Sequence, residues 1–266
     1  MMHKSITFFI ILMILVAASP IIAQDLNLSP YGYISINIPT EDGDEYQIQR
    51  ARVGVTTAQL LENGTVKTKF EFDINSAIVK WAYGQFDKSL WQGTVSLVVG
   101  IHPNSVACLY PGPKNLRLTR WPDMLDHHTL YSTGTSIWYK KGNFTGRATH
   151  FNHNSSSFAL TFYGLSGFWE KNTCLGGMFE SPWTTRLLHP YMGGMSCDDA
   201  LGNLFFIQNY VQLPYNNRLY GQYDFGDTKD SWLFGINHEF STDCFIKCFY
   251  ETRDEKIIGE VNFAFN

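Results

Sequence analysis

The stretch "GTVKTKFEFDIN", residues 64–75, sets Val66, Thr68, Phe70, Phe72 and Ile74 against Lys67, Lys69, Glu71 and Asp73. Successive side chains of a strand point to opposite faces, so alternation at period two predicts a strand with one apolar and one polar face. The pattern recurs, less cleanly, over 31–38, 46–57, 77–86, 93–102, 135–141, 144–151, 157–164 and 203–213. It closes with four alternating arms near the C-terminus. Leu219, Gly221, Tyr223 and Phe225 oppose Tyr220, Gln222 and Asp224, and Trp232, Phe234, Ile236 and Phe240 oppose Gly235, Asn237 and Glu239. Cys244, Ile246, Cys248 and Tyr250 oppose Lys247 and Glu251, and Ile257, Gly259, Val261, Phe263 and Phe265 oppose Glu260, Asn262 and Ala264. The chain is therefore all-β.

Such strands build either a soluble sandwich, with the aromatics inside, or a membrane barrel, with the aromatics against lipid and the charges in a wet lumen. The N-terminus bears on the choice. "MMHKSITFFIILMILVAASPIIA" has Lys4, an apolar run from Ile6 to Ala18 and a small residue, Ala23, before "QDLN". This is the form of a secretory signal peptide over 1–23, cleaved after Ala23; the alternative is an uncleaved anchor. No later apolar run approaches the roughly 20 residues of a spanning helix, so any further span must be made of strands. Residues 24–266 read as one domain, with no linker or short repeat to divide them.

Composition adds weight to the barrel. Aromatic residues make up 15% against 17% charged, as interfacial girdles of a barrel require, although a carbohydrate-binding sandwich shares this trait. A formal net charge of −4 gives no electrostatic footprint for nucleic acid. The last strand runs to the chain end with aromatics on its apolar face, similar to the insertion signal of outer-membrane barrels, although Asn266 follows Phe265. The expectation is a closed antiparallel transmembrane β-barrel in a bacterial outer membrane. About 13 strand segments are read, and single-chain bacterial barrels have even numbers, so about 12 strands are expected, with 14 as the alternative.

Residues 103–133 and 166–200 hold most of the remaining prolines and glycines and read as long extracellular loops, either one a candidate to fold inward as a constriction. Cys174 and Cys197 fall in the second loop, where pairing and free thiols are equally open. Cys244 and Cys248, four apart on one strand, stand about 13 Å apart at 3.3 Å per residue, too far for a disulfide, and read as small lipid-facing hydrophobes. No cysteine spacing fits a structural zinc site, and no cofactor is expected.

The run "YGYISINIP…YQIQRARVGVTTAQLLENGTVKTKFEFDINSAIVKWAYGQF…VSLVVGIHPNS" resembles the N-terminal part of the phosphate-selective porin O and P family. The resemblance covers residues 31–104 and is carried by Arg50, Ala51, Arg52, Gly54, Lys69, Phe70, Glu71, Phe72, Asp73, Gly100 and Pro103. It implies an outer-membrane porin, a passive channel and not an enzyme. Parity independently places Arg50, Arg52, Lys67, Lys69 and Lys80 on the lumen side with Glu71 and Asp73. A basic wall of this kind would concentrate anions and raise their flux, so the expected solutes are small and anionic or neutral, arginine matching phosphate through its planar fork; the alternative is ordinary lumen charges paired across the sheet. Expected partners are outer-membrane lipid, the permeating solutes and two further copies in a homotrimer. Two rival readings remain. A barrel enzyme, phospholipase- or protease-like, would draw on Asp126, His127, His128 and Ser132, or on His150, His153 and Ser155, which are the residue types of a Ser–His–Asp arrangement. A plugged structural or adhesive barrel would need no site at all.

Overall fold

In a computed structural model the chain is described over residues 27–38, 47–105, 131–152, 155–171, 174–181, 190–197, 202–227, 230–241, 244–253 and 255–265. The expected signal peptide lies outside the described residues. Sixteen strands follow one another: β1 (Asn27–Ile38), β2 (Gln47–Leu61), β3 (Gly64–Asp73), β4 (Ile78–Leu90), β5 (Gly93–Pro103), β6 (Tyr131–Lys141), β7 (Phe144–Phe151) and β8 (Ser156–Phe162). The second half comprises β9 (Leu165–Glu170), β10 (Cys174–Glu180), β11 (Tyr191–Cys197), β12 (Asn203–Gln212), β13 (Asn217–Gly226), β14 (Ser231–Ser241), β15 (Cys244–Glu251) and β16 (Lys256–Phe265). Each pairs antiparallel with its sequence neighbours, and β1 pairs with β16 to close the barrel, Gly32 opposite Phe265 and Ile36 opposite Val261.

The strand number corrects the expected 12 or 14. All 13 expected segments are strands, and the other three, β9, β10 and β11, span Leu165 to Cys197, all but Leu165 within the 166–200 stretch that had read as a loop. They are six or seven residues long, and β10 and β11 are interrupted by Gly176–Gly177 and Gly193–Gly194, so few side chains are left to display a period of two. The missing Cβ atoms are needed there. A Cβ on Gly176 would sit 2.4 Å from the Phe168 ring and 2.6 Å from the Gly194 carbonyl oxygen, and one on Gly193 would sit 2.6 Å from the Phe206 ring. Aromatic rings from neighbouring strands occupy the space that these side chains would fill.

Tight hairpins fix the register at one end. Leu61 pairs with Gly64, Leu90 with Gly93, Lys141 with Phe144 and Phe162 with Leu165. Trp91–Gln92 and Tyr163–Gly164 all have positive φ, the mirror-image turn whose twist matches that of paired strands.

Alternation separates two faces. Outward lie Leu97, Val99, Ile137, Phe158, Phe205, Phe234 and Ile257, all well exposed; inward lie Ser96, Val98, Ser136, Gln208, Gln222, Asn237, Lys247 and Glu260, all buried. On β5 the change is abrupt, from 0% exposure at Val98 to 52% at Val99. Phe70 and Phe72 share the outer face with their cross-strand partners Val55 and Val53. Aromatic clusters flank the apolar band. Tyr223, Trp232 and Phe234 stack at centroid distances of 4.1 and 5.4 Å towards one end, and Phe162 meets Tyr163 edge-on at 4.6 Å at the other. Exposed apolar residues in a closed sheet with aromatic flanks are stable against hydrocarbon and costly against water.

Candidate functional site

The inner wall is chemically divided. On β1 to β4 it is charged, and the strand periods explain how. Arg52 on β2 pairs across the ladder with Asp73 on β3, and Glu71 stands one inward step further along. The Arg52 guanidinium donates from Nη1 to Glu71 Oε1 at 2.9 Å and from Nε to Asp73 Oδ2 at 3.0 Å, while its Cζ lies 5.6 Å from the Tyr33 ring centroid. Tyr31 donates its hydroxyl to Glu71 Oε2 at 2.8 Å. The Lys69 ammonium lies 4.0 Å from Glu71 Oε2, 4.0 Å from the Trp81 ring centroid and 5.4 Å from that of Tyr31. Lys67 reaches Asp87 Oδ2 at 2.7 Å, and Gln85 donates to Asp87 Oδ1 at 2.6 Å.

The structure thus brings Arg52, Lys69, Glu71 and Asp73 into one cluster and leaves Lys67 in a separate pair. Lys80 departs from the expected parity. A bulge between Glu71 and Phe72 sets Glu71 opposite Trp81 but Phe72 opposite Val79, so Lys80 is the extra residue, and Trp81 takes the place beside Glu71. The Arg50 backbone pairs with Ser35, and its side chain lies outside the described residues. With two carboxylates on Arg52 and one on Lys67, the described part of this wall is a compensated array rather than a basic surface.

Across the barrel the wall is apolar. In a ring of 16 strands, β10 and β11 lie eight places from β2 and β3. Phe168, Met178, Met195, Leu204, Phe206 and Ala159 form one buried cluster there. Tyr191 donates its hydroxyl to Met178 Sδ at 2.9 Å, and its ring lies 5.0 Å from that of Phe206. Cys174 and Cys197, opposite each other in register, are joined by a disulfide, which settles the pairing that the sequence had left open and places it on paired strands rather than in a loop. Cys244 and Cys248 are free.

Between the two walls the chain leaves β5 inward. Ser105 donates its backbone N–H to Ser157 Oγ at 3.2 Å on β8, and its hydroxyl lies 2.9 Å from that of Thr149 on β7. Thr149 in turn meets Ser136 of β6 at 2.6 Å. Since β6 stands between β5 and β7 in the wall, Ser105 reaches those partners only across the inner side of β6. The chain thus turns inward at residues 104 and 105; residues 106–130, on which a constriction from the 103–133 stretch would depend, lie outside the described residues.

The enzymatic candidates do not assemble among the described residues. His150 Nδ1 meets Ser156 Oγ at 2.9 Å with no carboxylate behind it, and Ser155 donates to Glu170 Oε1 at 3.3 Å. Ser132 pairs with His102 in the ladder, and Asp126, His127, His128 and His153 lie outside the described residues. No group of three or more His, Cys, Asp or Glu residues suited to a metal occurs among the described residues. Sequence reasoning missed Tyr31, Trp81 and Asp87 of the charged wall, and Trp138 and Arg147 on β6 and β7. Parity along 144–151, already read as a strand, places Arg147 inward with Thr149 and was the available signal.

No family model and no curated protein matches the sequence. Solved structures do match its fold. A mutant of Rh. blastica porin superposes with a TM-score of 0.66 at 10% identity, covering 90% of this chain and 100% of that one. OmpT of Vibrio cholerae, an outer-membrane protein solved in its trimer form, gives 0.68 at 10% identity, covering 91% and 100%. An engineered protein described for asymmetric conductivity gives 0.67 at 12% identity, covering 91% and 100%. The chain has the fold of general outer-membrane porins. A closed, even-numbered antiparallel barrel with an apolar outer face is the architecture of the bacterial outer membrane, and that is where this chain resides.

Proposed function

We propose that the protein is a porin: a passive, non-enzymatic channel for ions and small solutes, assembled as a homotrimer after removal of the 1–23 signal peptide. The observation that carries it is the closed barrel of 16 strands with charged and hydrogen-bonding side chains inside and apolar ones outside. Solute would pass along the charged wall of β1 to β4, lined by Arg50, Arg52, Lys67, Lys69, Glu71 and Asp73. The fold of Rh. blastica porin and the trimer form of OmpT support the channel and the trimer respectively. The resemblance of residues 31–104 to the phosphate-selective porins supports a small-anion substrate, but the pairing of Arg52 and Lys67 moves the source of any anion preference away from this wall.

Swelling of vesicles containing the refolded protein, in isotonic solutions of sugars and amino acids of rising mass, tests the channel. Rapid swelling that falls off with solute size is expected; no swelling above empty vesicles would reject it. A second reading, the plugged barrel, is favoured by the inner side chains of β7 to β15. Phe151, Phe206, Leu233, Phe245 and Phe249 are all at 2% exposure or less, closer to a packed core than to the wall of a wide aqueous pore.

A further inference from the structure

We infer that Arg147 and Trp138 form a binding subsite for a compact anion, an inorganic oxyanion or a short carboxylate, on the inner wall. Access to the subsite rests on the channel reading. Arg147 of β7 and Trp138 of β6 are cross-strand partners, and the guanidinium carbon lies 5.1 Å from the indole ring centroid. Among the described residues Arg147 forms no ion pair and no hydrogen bond, and its Nε is buried without an acceptor. Trp138 Nε1, also buried, likewise has none.

Guanidinium and indole can only donate, so this spot holds a cation and two unanswered N–H groups with no acceptor to receive them. Arginines elsewhere on the inner wall are treated differently. Arg52 has Glu71 and Asp73, and Arg218 reaches Glu239 at 2.8 Å. Of the hydroxyls one inward step away in register, those of Ser136 and Thr149 bond each other at 2.6 Å, and that of Thr145 receives neither N–H group. An anion seated on the guanidinium fork would supply the missing acceptors and charge together, through paired N–H···O bonds.

The surroundings set the size of the ligand. Along the register row Arg147 is followed by Ala159 and then Phe168, both closed to solvent. Apolar neighbours lower the local dielectric and strengthen the field of the cation. Because they are already covered, no surface is left for the hydrocarbon tail of an amphiphilic acid.

The test uses the full refolded chain. In planar bilayers, inorganic phosphate is titrated against the potassium chloride current of the wild type, Arg147→Gln, Arg147→Lys and Lys141→Gln. Arg147→Gln should raise the half-blocking phosphate concentration about tenfold, the loss of one good charge-assisted contact. Arg147→Lys should fall between, and Lys141→Gln, which removes a cation from the exposed β6–β7 hairpin, should change it less than about twofold. In parallel, tryptophan fluorescence of the protein in detergent is followed as phosphate is added, a readout that needs no current. A change seen in the wild type and lost in both Trp138→Phe and Arg147→Gln supports the subsite. Unchanged block in Arg147→Gln, tighter block by octanoate than by phosphate, or a fluorescence response indifferent to Trp138 and Arg147 overturns it. If the wild type carries no current, the channel reading fails and the fluorescence titration alone decides the subsite. If Arg147→Gln does not fold, Arg147→Lys, which keeps the charge and loses the fork, and Trp138→Phe decide it by the same criteria.

Discussion

Arg52 holds two carboxylates at once, and neither has much water to fall back on, since Glu71 is 4% and Asp73 5% exposed. Removing one partner of a buried ionic group leaves charge uncompensated and costs about 3–5 kcal/mol, whereas a half-exposed pair is worth about 1 kcal/mol or less. Arg52→Ala should therefore destabilise the barrel several times more than Lys67→Ala, whose partner is Asp87. Equilibrium urea unfolding from lipid vesicles measures both, and equal losses would contradict the cluster. The two faces give a second prediction. Leu97 is exposed on the outer face of β5, while Gln85, opposite Val98 on the neighbouring strand, points inward and bonds Asp87. A cation against lipid near the midplane costs about 2–4 kcal/mol. Leu97→Lys should thus block insertion that Gln85→Lys, placed beside a carboxylate, permits. At this scale the sequence revealed which side chains share a face, because parity survives along any unbroken strand. It could not reveal the bulge that exchanges Lys80 for Trp81, since one extra residue leaves no mark on composition or period.

Strand legibility followed length and side-chain content. Strands of eight or more residues all display their alternation; β8, at seven residues, is marked by "SFALTF", with Phe158 and Leu160 outward and Ala159 inward. The strands β9 to β11 fail on both counts, and their glycines look like a loop because the feature that demands glycine, an aromatic ring from the next strand lying on the backbone, belongs to a different segment. This separates two substitutions. Nothing lies within 4 Å of a Cβ on Gly167, whereas one on Gly176 meets both a ring and a carbonyl oxygen. Gly167→Ala should be neutral or stabilising by up to about 1 kcal/mol, because glycine pays more backbone entropy on ordering. Gly176→Ala should cost about 1–3 kcal/mol by overpacking. Urea midpoints that move together for the two would show that this wall does not pack as described. The disulfide joins β10 and β11, and its partners became evident only once those strands were aligned.

As a whole molecule the barrel sets a compensated charged wall opposite an apolar one, with Ser105, just after β5, turned inward. The class, a closed membrane barrel, was legible from the alternating arms. Its size was not, because the three unread strands sit together on one side. The chemistry of the lumen was legible only as a list of inward charges, since ion pairing depends on which residues of different strands fall opposite one another. The central claim is that a continuous aqueous path remains inside. Planar-bilayer recording of the refolded wild-type chain in potassium chloride tests it most directly. Discrete, reproducible conductance steps that scale with salt concentration are predicted; correctly folded, heat-modifiable protein that inserts and yields no steps would contradict it and leave the plugged barrel.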